Sequence, residues 1–363
     1  MKLPSGIAVF LSAWLLGVAH ADPVHDLMAT VAAEPDALRE DMEVLTGADG
    51  AADPIVSRSI FHADLARAER WVIAQLESIE GLDVSVQDVS VQVSLDGTLV
   101  EVVGLQNIVA ELPGASELPP ILLGAHLDST GKASPGGWDA TVDPAPGADD
   151  DASGVAALLA VARTLAAWPG GFDAPIRFVF FTAEEVGLLG SERYVDALVA
   201  DGEEVGAMLQ LDPIGYNGLA EDRLWFAYDG RWPALKEQVD QTGVDADTWL
   251  TLQGVNAALI GGDDRSDHFH FWQAGWPAIH FGAFPPPPDY HKTTDILAVV
   301  DLDFLAEVVR TLTWLTADLA GAQAAPAPPD SGCACTLSEV PGPSAVWAGC
   351  GVALAWARRR KRQ

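Results

Sequence analysis

Three short apolar runs, each stopping on charged residues, constrain the fold more than any other feature of this chain. Residues 121–123 lead into Gly124-Ala-His126-Leu-Asp128, the Phe-rich run 178–181 into Thr182-Ala-Glu184-Glu185, and residues 207–209 into Gln210-Leu-Asp212. Runs this short and this uniformly apolar read as strands covered on both faces, which is the situation in a parallel sheet flanked by helices. Between and around them the pattern alternates. Helical spacing recurs over residues 65–79, 154–168, 191–198 and Leu302–Leu319, and strand-like runs recur over Thr98–Leu112, Ile176–Phe181, 224–228 and 277–281. The expectation is one α/β domain, a mixed and mostly parallel central sheet with helices on its flanks. Ligand sites in such sheets form beyond the strand ends, so the polar residues placed there carry the most information.

Two further motifs join the three strand-end motifs. Pro146-Gly-Ala-Asp149-Asp150-Asp151-Ala-Ser153-Gly154 precedes the helical run from residue 154, and Tyr290-His291-Lys-Thr-Thr-Asp295 follows a run of four prolines at 285–288. One aspartate, or Ser153, suffices to cap a helix start. Three adjacent carboxylates exceed that need, and a nearby cation would neutralise the excess. Asp128 stands two residues from His126, close enough for a carboxylate to orient an imidazole. Histidine and carboxylate donors suit zinc, and a shared carboxylate suits two zinc ions. No Gly-x-Gly-x-x-Gly fingerprint, Walker loop or Gly-x-Ser-x-Gly elbow is present, which leaves nucleotide chemistry and serine hydrolysis without a site.

Composition narrows the partners. Asp and Glu number 52 against 20 Lys and Arg, a formal net charge of −32, so nucleic acid and anionic lipid would be repelled. All three cysteines, Cys333, Cys335 and Cys350, lie near the C-terminus, which excludes a cysteine nucleophile or a structural disulfide in the domain before them. Residues 1–21 have a basic start, an apolar stretch and an Ala19-His20-Ala21 ending, the pattern of a secretory signal peptide. The expected division is a signal peptide (1–21), a catalytic domain (22–320), a Pro/Ala linker (321–332) and a C-terminal tail (333–363). The tail combines Cys333-Ala-Cys335 with a short apolar segment, below the roughly 20 residues needed to span a bilayer, and a closing arginine cluster at 358–362.

The ordered set GAHLDS, PGADDDASG, TAEEVGLLGS, QLD, SDH and YHKTTD resembles peptidase family twenty-eight, over about residues 100–320. That is the family of bacterial leucyl aminopeptidase and aminopeptidase S, with relatives among glutamate carboxypeptidases and glutaminyl cyclases. The resemblance implies the zinc aminopeptidase (phosphorylase/hydrolase-like) fold. It implies a cofactor of two zinc ions bridged by Asp150, with His126 and Asp212 completing one site and Glu185 and His291 the other. It assigns Glu184 as general base and Asp128 as partner to the first histidine. The activity implied is removal of the N-terminal residue from peptides with a free N-terminus, by a hydroxide bridging the metals. The alternatives are a glutaminyl cyclase-like or carboxypeptidase-like member of the fold, with Arg265 or Lys292 to hold a carboxylate, or a non-catalytic surface binding protein. The family's secreted leucyl aminopeptidases carry a disulfide before Ser-Asp-His that is lacking at residues 261–268 here, which leaves the specificity wall open. The last 35 residues or so resemble the Myxo-type C-terminal sorting tag. That implies export and surface-sorting machinery as partners, and secretion or anchoring at the bacterial cell surface; the enzyme itself is expected to be a monomer.

Overall fold

The computed structural model describes residues 22–29, 35–95, 97–218, 221–260 and 262–326. The expected signal peptide and the tail from residue 327 onward lie outside the described residues.

Eight strands form one sheet in the order β1-β2-β4-β3-β5-β8-β6-β7. They are β1 (Asp83–Leu95), β2 (Thr98–Leu112), β3 (Ile121–His126), β4 (Ile176–Phe181), β5 (Ala207–Leu211), β6 (Arg223–Tyr228), β7 (Thr251–Asn256) and β8 (Ala278–Gly282). Its centre, β4-β3-β5-β8, is parallel, β6 and β7 also pair in parallel, and the joins β1-β2, β2-β4 and β8-β6 are antiparallel. The expected mixed, mostly parallel sheet with flanking helices is the fold observed.

Alternation along the central strands feeds two cores, because neighbouring side chains on a strand point to opposite faces. Leu123, Ala125, Phe178, Phe180, Leu209 and Leu211 turn to the larger core, while Leu122, Val179, Phe181 and Met208 turn to the smaller one. The larger core takes in α2 (Pro35–Leu45), α3 (Leu65–Glu77), α4 (Gly154–Ala166) and α8 (Leu302–Leu319). The smaller is covered by α5 (Leu189–Asp201) and α7 (His268–Ala274). The remaining helices are α1 (Pro23–Met28) and α6 (Pro233–Asp245). The expected helices at 154–168 and 65–79 end two residues early, and that at 191–198 is longer at both ends.

Helix α4 is apolar nearly all round, as a helix packed on a sheet and beneath α8 must be. Beyond α8 the chain does not leave the surface at residue 320. The Gly321 carbonyl accepts from Asp173 N, Gln323 N donates to Gly171, and the Gln323 carbonyl takes the Trp168 indole N–H. The first residues of the expected linker are therefore tied down, and the folded chain runs through Gln323. Among the described residues no helix is long and apolar enough to cross a membrane.

Candidate metal centre

Strand β3 lies between β4 and β5, and the helices of the successive connections, α4 from β3 to β4 and α5 from β4 to β5, pack into different cores on the two faces of the sheet. A crevice opens at such a reversal beyond the carboxyl ends of the strands. His126 is the last residue of β3, Glu184 and Glu185 occupy the turn after β4, and Asp212 follows β5 directly. Asp150 sits in an irregular turn, Ala148–Ser153, that enters α4, and His291 lies beyond β8. All seven residues singled out from the sequence lie in or beside this crevice.

Asp150 is at the centre. Its Oδ1 lies 3.1 Å from His126 Nε2, and its Oδ2 lies 3.2 Å from His291 Nε2. Asp212 Oδ1 is 3.5 Å from His126 Nε2, and Glu185 Oε2 is 3.2 Å from His291 Nε2. Each carboxylate oxygen of Asp150 thus faces a different histidine, and each histidine faces one further carboxylate. Glu184 Oε2 lies 4.0 Å from His126 Nε2 and takes part in neither set of closer contacts.

The other two aspartates of the triplet are engaged by backbone. Asp151 accepts from His126 N at 3.1 Å and from Gly154 N at 3.0 Å, bracing β3 and the start of α4. Asp151 also comes within 4.8 Å of the His126 and Asp212 donor atoms; with both its oxygens taken by amides, Asp150 is the better-placed partner. Asp149 Oδ1 accepts from Gly215 N at 2.6 Å, beyond β5. Asp151 supplies the cap expected of one aspartate, and Asp150 is the carboxylate of the triplet that faces the histidines.

Asp128 departs from its expected geometry. It lies two residues past the end of β3. Its backbone carbonyl accepts from His126 Nδ1 at 2.9 Å, while its carboxylate Oδ1 stays 3.8 Å away. That carboxylate instead accepts from Glu184 N at 3.0 Å and from Glu185 N at 3.2 Å, fixing the turn that presents both glutamates.

Three contributors were given no role from the sequence. Arg58 is fully buried and donates to the carbonyls of Leu127 (2.7 Å), Leu45 (2.7 Å), Pro146 (2.6 Å) and Gly147 (2.9 Å), tying together the two loops behind the site. Asp295 receives Asp149 N at 2.9 Å and Asp150 N at 3.0 Å. Ser266 Oγ donates to Asp212 Oδ2 at 2.5 Å. Asp295 stood inside a quoted motif without a role, and burial near Asp150 pushes its pKa up to about 7.

The electrostatics favour a cation at this centre, where Glu185 Oε2 already receives Lys132 Nζ at 3.2 Å. Burial drives the Glu184 pKa well above the usual carboxylate range; the Asp212 and Glu185 charges push the same way, and His126 opposes them. Glu185 is raised by burial and by Asp150. For Asp150 burial is outweighed by His126 and His291, which hold its carboxyl below the ordinary range. Because His126 Nδ1 faces a carbonyl, which only accepts, that nitrogen carries the hydrogen. Against the lowering effect of burial, the charges of Glu184 and Asp212 raise the ring's pKa, so Nε2 meets Asp150 and Asp212 through a proton or through a metal ion in its place. Asp150 Oδ2 and Glu185 Oε1 are buried without a hydrogen bond of acceptable geometry. Buried carboxylates of this density are stable only when paired or bound to metal, and the donor set of histidine nitrogens and carboxylate oxygens fits zinc.

Two cavities flank the centre. One of about 230 Å³ begins at Pro213, next to Asp212, and is walled by Ile214, Leu224, Trp225, Phe284 and Phe304. A wider one of about 970 Å³ reaches Glu185 and Lys132 and is bounded by Trp138 and the outer part of β1.

The model of "Peptidase family M28" matches residues 107–316. Leucine aminopeptidase 1 of Phaeosphaeria nodorum is 31% identical over 61% of this chain and 57% of its own length. The probable lipoprotein aminopeptidase LpqL of Mycobacterium tuberculosis is 29% identical over 61% of this chain and 47% of its own. This chain therefore spans about half the length of the curated relatives it matches. Among solved structures, LapB of Legionella pneumophila superposes with a TM-score of 0.65 at 20% identity, covering 84% of this chain and 76% of that one. Porphyromonas gingivalis glutaminyl cyclase does so at 0.63 and 21%, covering 78% and 98%. These structural likenesses establish the shared fold.

Proposed function

Because the chain belongs to peptidase family M28, we propose that it is a two-zinc aminopeptidase that removes the N-terminal residue from peptides. The observation that carries this reading is Asp150, whose two oxygens stand 3.1 and 3.2 Å from the histidines of two separate donor sets. His126, Asp150 and Asp212 would hold one ion, and Asp150, Glu185 and His291 the other. Bound zinc supplies Lewis acidity towards a carbonyl and lowers the pKa of water.

The chain's own residues supply the rest. Glu184 is the general base. Its amide is anchored on Asp128, its side chain is outside both donor sets, and its raised pKa suits a group that must take a proton from the attacking water and return it to the departing amine. Asp128 is a positioning residue in this scheme, since it holds the backbone of both glutamates. The excess of carboxylates favours a substrate's cationic α-amine over its carboxylate. Arg265 and Lys292, which could have held a carboxylate, are engaged elsewhere: Arg265 Nε donates to Asp263, and Lys292 Nζ to the Pro288 carbonyl. The apolar cavity beside Asp212 takes the N-terminal side chain, and the wider groove towards Trp138 takes the remaining peptide. Relatives named aminopeptidases support the reading. Export, with the tail as a surface-sorting address, belongs to the same proposal.

A mixture of unblocked peptides, one beginning with glutamine, separates the readings by product mass. Release of free N-terminal amino acids is expected. Loss of ammonia from the glutamine peptide alone would place the chain with the cyclases, and release of C-terminal residues would place it with the carboxypeptidases.

A further inference from the structure

A third group of metal-type side chains converges outside the Asp150 centre. Asp263 comes from the loop before α7, His268 from the first turn of α7, and His280 from β8, and all three are buried. Asp263 Oδ2 lies 2.9 Å from His280 Nδ1 and 3.6 Å from His268 Nε2, and one donor atom from each residue lies within 4.8 Å of the other two. Donors bonded at about 2.0–2.1 Å around a tetrahedral zinc stand about 3.3 Å apart, and the two Asp263 contacts, 2.9 and 3.6 Å, lie either side of that value.

Protons alone do not satisfy the cluster. His280 Nε2 lies 2.7 Å from the Asp212 carbonyl, so that nitrogen carries a hydrogen. A neutral His280 then aims the Nδ1 lone pair at the Asp263 carboxylate, acceptor against acceptor. A proton on Nδ1 would mend that contact and leave His268 stranded. The His268 ring is 0% exposed and stacks on His280 at 4.6 Å and 24°, yet neither of its nitrogens has a hydrogen-bond partner. A second positive ring stacked on the first would be repelled. One metal ion in place of one proton engages all three donors at once.

The surroundings fit as well. Arg265 Nε donates to Asp263 Oδ1 at 2.9 Å, orienting the carboxylate and leaving Oδ2 to the cluster, as a supporting hydrogen bond does for a metal ligand.

We infer that Asp263, His268 and His280 form a structural site for a divalent transition-metal ion of the zinc type, separate from the Asp150 centre. It would staple α7 and its preceding loop to β8 in a domain that has no cysteine. It would also steady Asp212, whose carbonyl receives His280 and whose carboxylate receives Ser266 from the same loop.

The test is metal content of the full chain, measured by mass spectrometry after zinc loading and exhaustive dialysis. Wild type is expected to hold one more equivalent than His268→Leu, and Asp150→Ala to retain one equivalent that a second change, His268→Leu, removes. On the Asp150→Ala background, zinc removal should lower the melting temperature, and addition of His268→Leu should abolish that response. Equal metal content in wild type and His268→Leu would overturn the inference. Should the variants not fold, anomalous diffraction at the zinc edge from wild-type crystals decides. A peak bonded to the three side chains supports the site, and its absence at saturating zinc refutes it. None of these readouts depends on which reaction the Asp150 centre performs.

Discussion

Glu184 and Glu185 are adjacent, share an anchor in Asp128, and nevertheless face different partners. Glu185 Oε2 stands 3.2 Å from His291 Nε2, within the second donor set, whereas Glu184 has no contact with either histidine closer than 4.0 Å. Replacing Glu184 by Gln should leave zinc content and substrate affinity near wild type and lower kcat by about 10²–10⁴-fold, the usual worth of a general acid–base step. Glu185→Gln should instead lower bound zinc towards one catalytic equivalent. Metal analysis and kinetics on the two variants in parallel check the assignment, and an exchange of phenotypes would exchange the roles. Most residues of this centre were legible because they follow an apolar strand or precede an apolar helix, where a charged side chain has few structural reasons to be; His291, after a run of four prolines, stood out only through its motif. Arg58 was not legible. It is a single arginine in an apolar stretch, and its partners Leu127, Pro146 and Gly147 are distant in sequence, so only the folded chain reveals it.

At the level of elements, the central strands and α4 were readable from unbroken apolar runs, and the edges of the sheet were not. β7 has a glycine, three polar side chains and no fully buried residue, so it carries no strong apolar period. Helix α6 buries only Leu235, Val239 and Thr242. Strand β1 does alternate, with Val89, Val91 and Val93 inward, but its pairing with β2 rather than its own pattern defines its extent. The loops between elements depend on Arg58 in place of regular structure. Arg58→Met keeps much of the apolar stem while leaving four carbonyls without their donor. Because an unsatisfied buried group costs about 1–3 kcal/mol, the variant should lose at least about 3 kcal/mol of unfolding free energy in denaturant titration. It should also bind zinc more weakly at temperatures where it remains folded, since the Asp149–Asp151 turn loses its backing.

For the molecule as a whole, a net charge of −32 makes stability depend on how buried acids are accommodated. Glu69, on α3, is one outside the metal centre. Its Oε1 accepts from Gln106 N at 3.0 Å, while burial and the Asp128 charge raise its pKa from 4.5 to about 7 against the opposing pull of that hydrogen bond and of Arg70. A folded-state pKa above the unfolded value means that the native state binds more protons between pH 4.5 and 7. Stability from this group is therefore full below about 4.5 and lost as pH rises through 7. Glu69→Gln, which keeps the accepting oxygen, should match wild type near pH 4 and exceed it above pH 7 by on the order of 1–3 kcal/mol in chemical unfolding.

The whole-molecule account depends on metal acting upon substrates with a free N-terminus. The direct measurement is hydrolysis of aminoacyl-arylamides, with free and with acetylated α-amines, before chelation, after chelation and after return of zinc. The account predicts cleavage of the free-amine compounds only, abolished by the chelator and restored by zinc. Undiminished cleavage after exhaustive metal removal, or equal cleavage of the acetylated compounds, would contradict it.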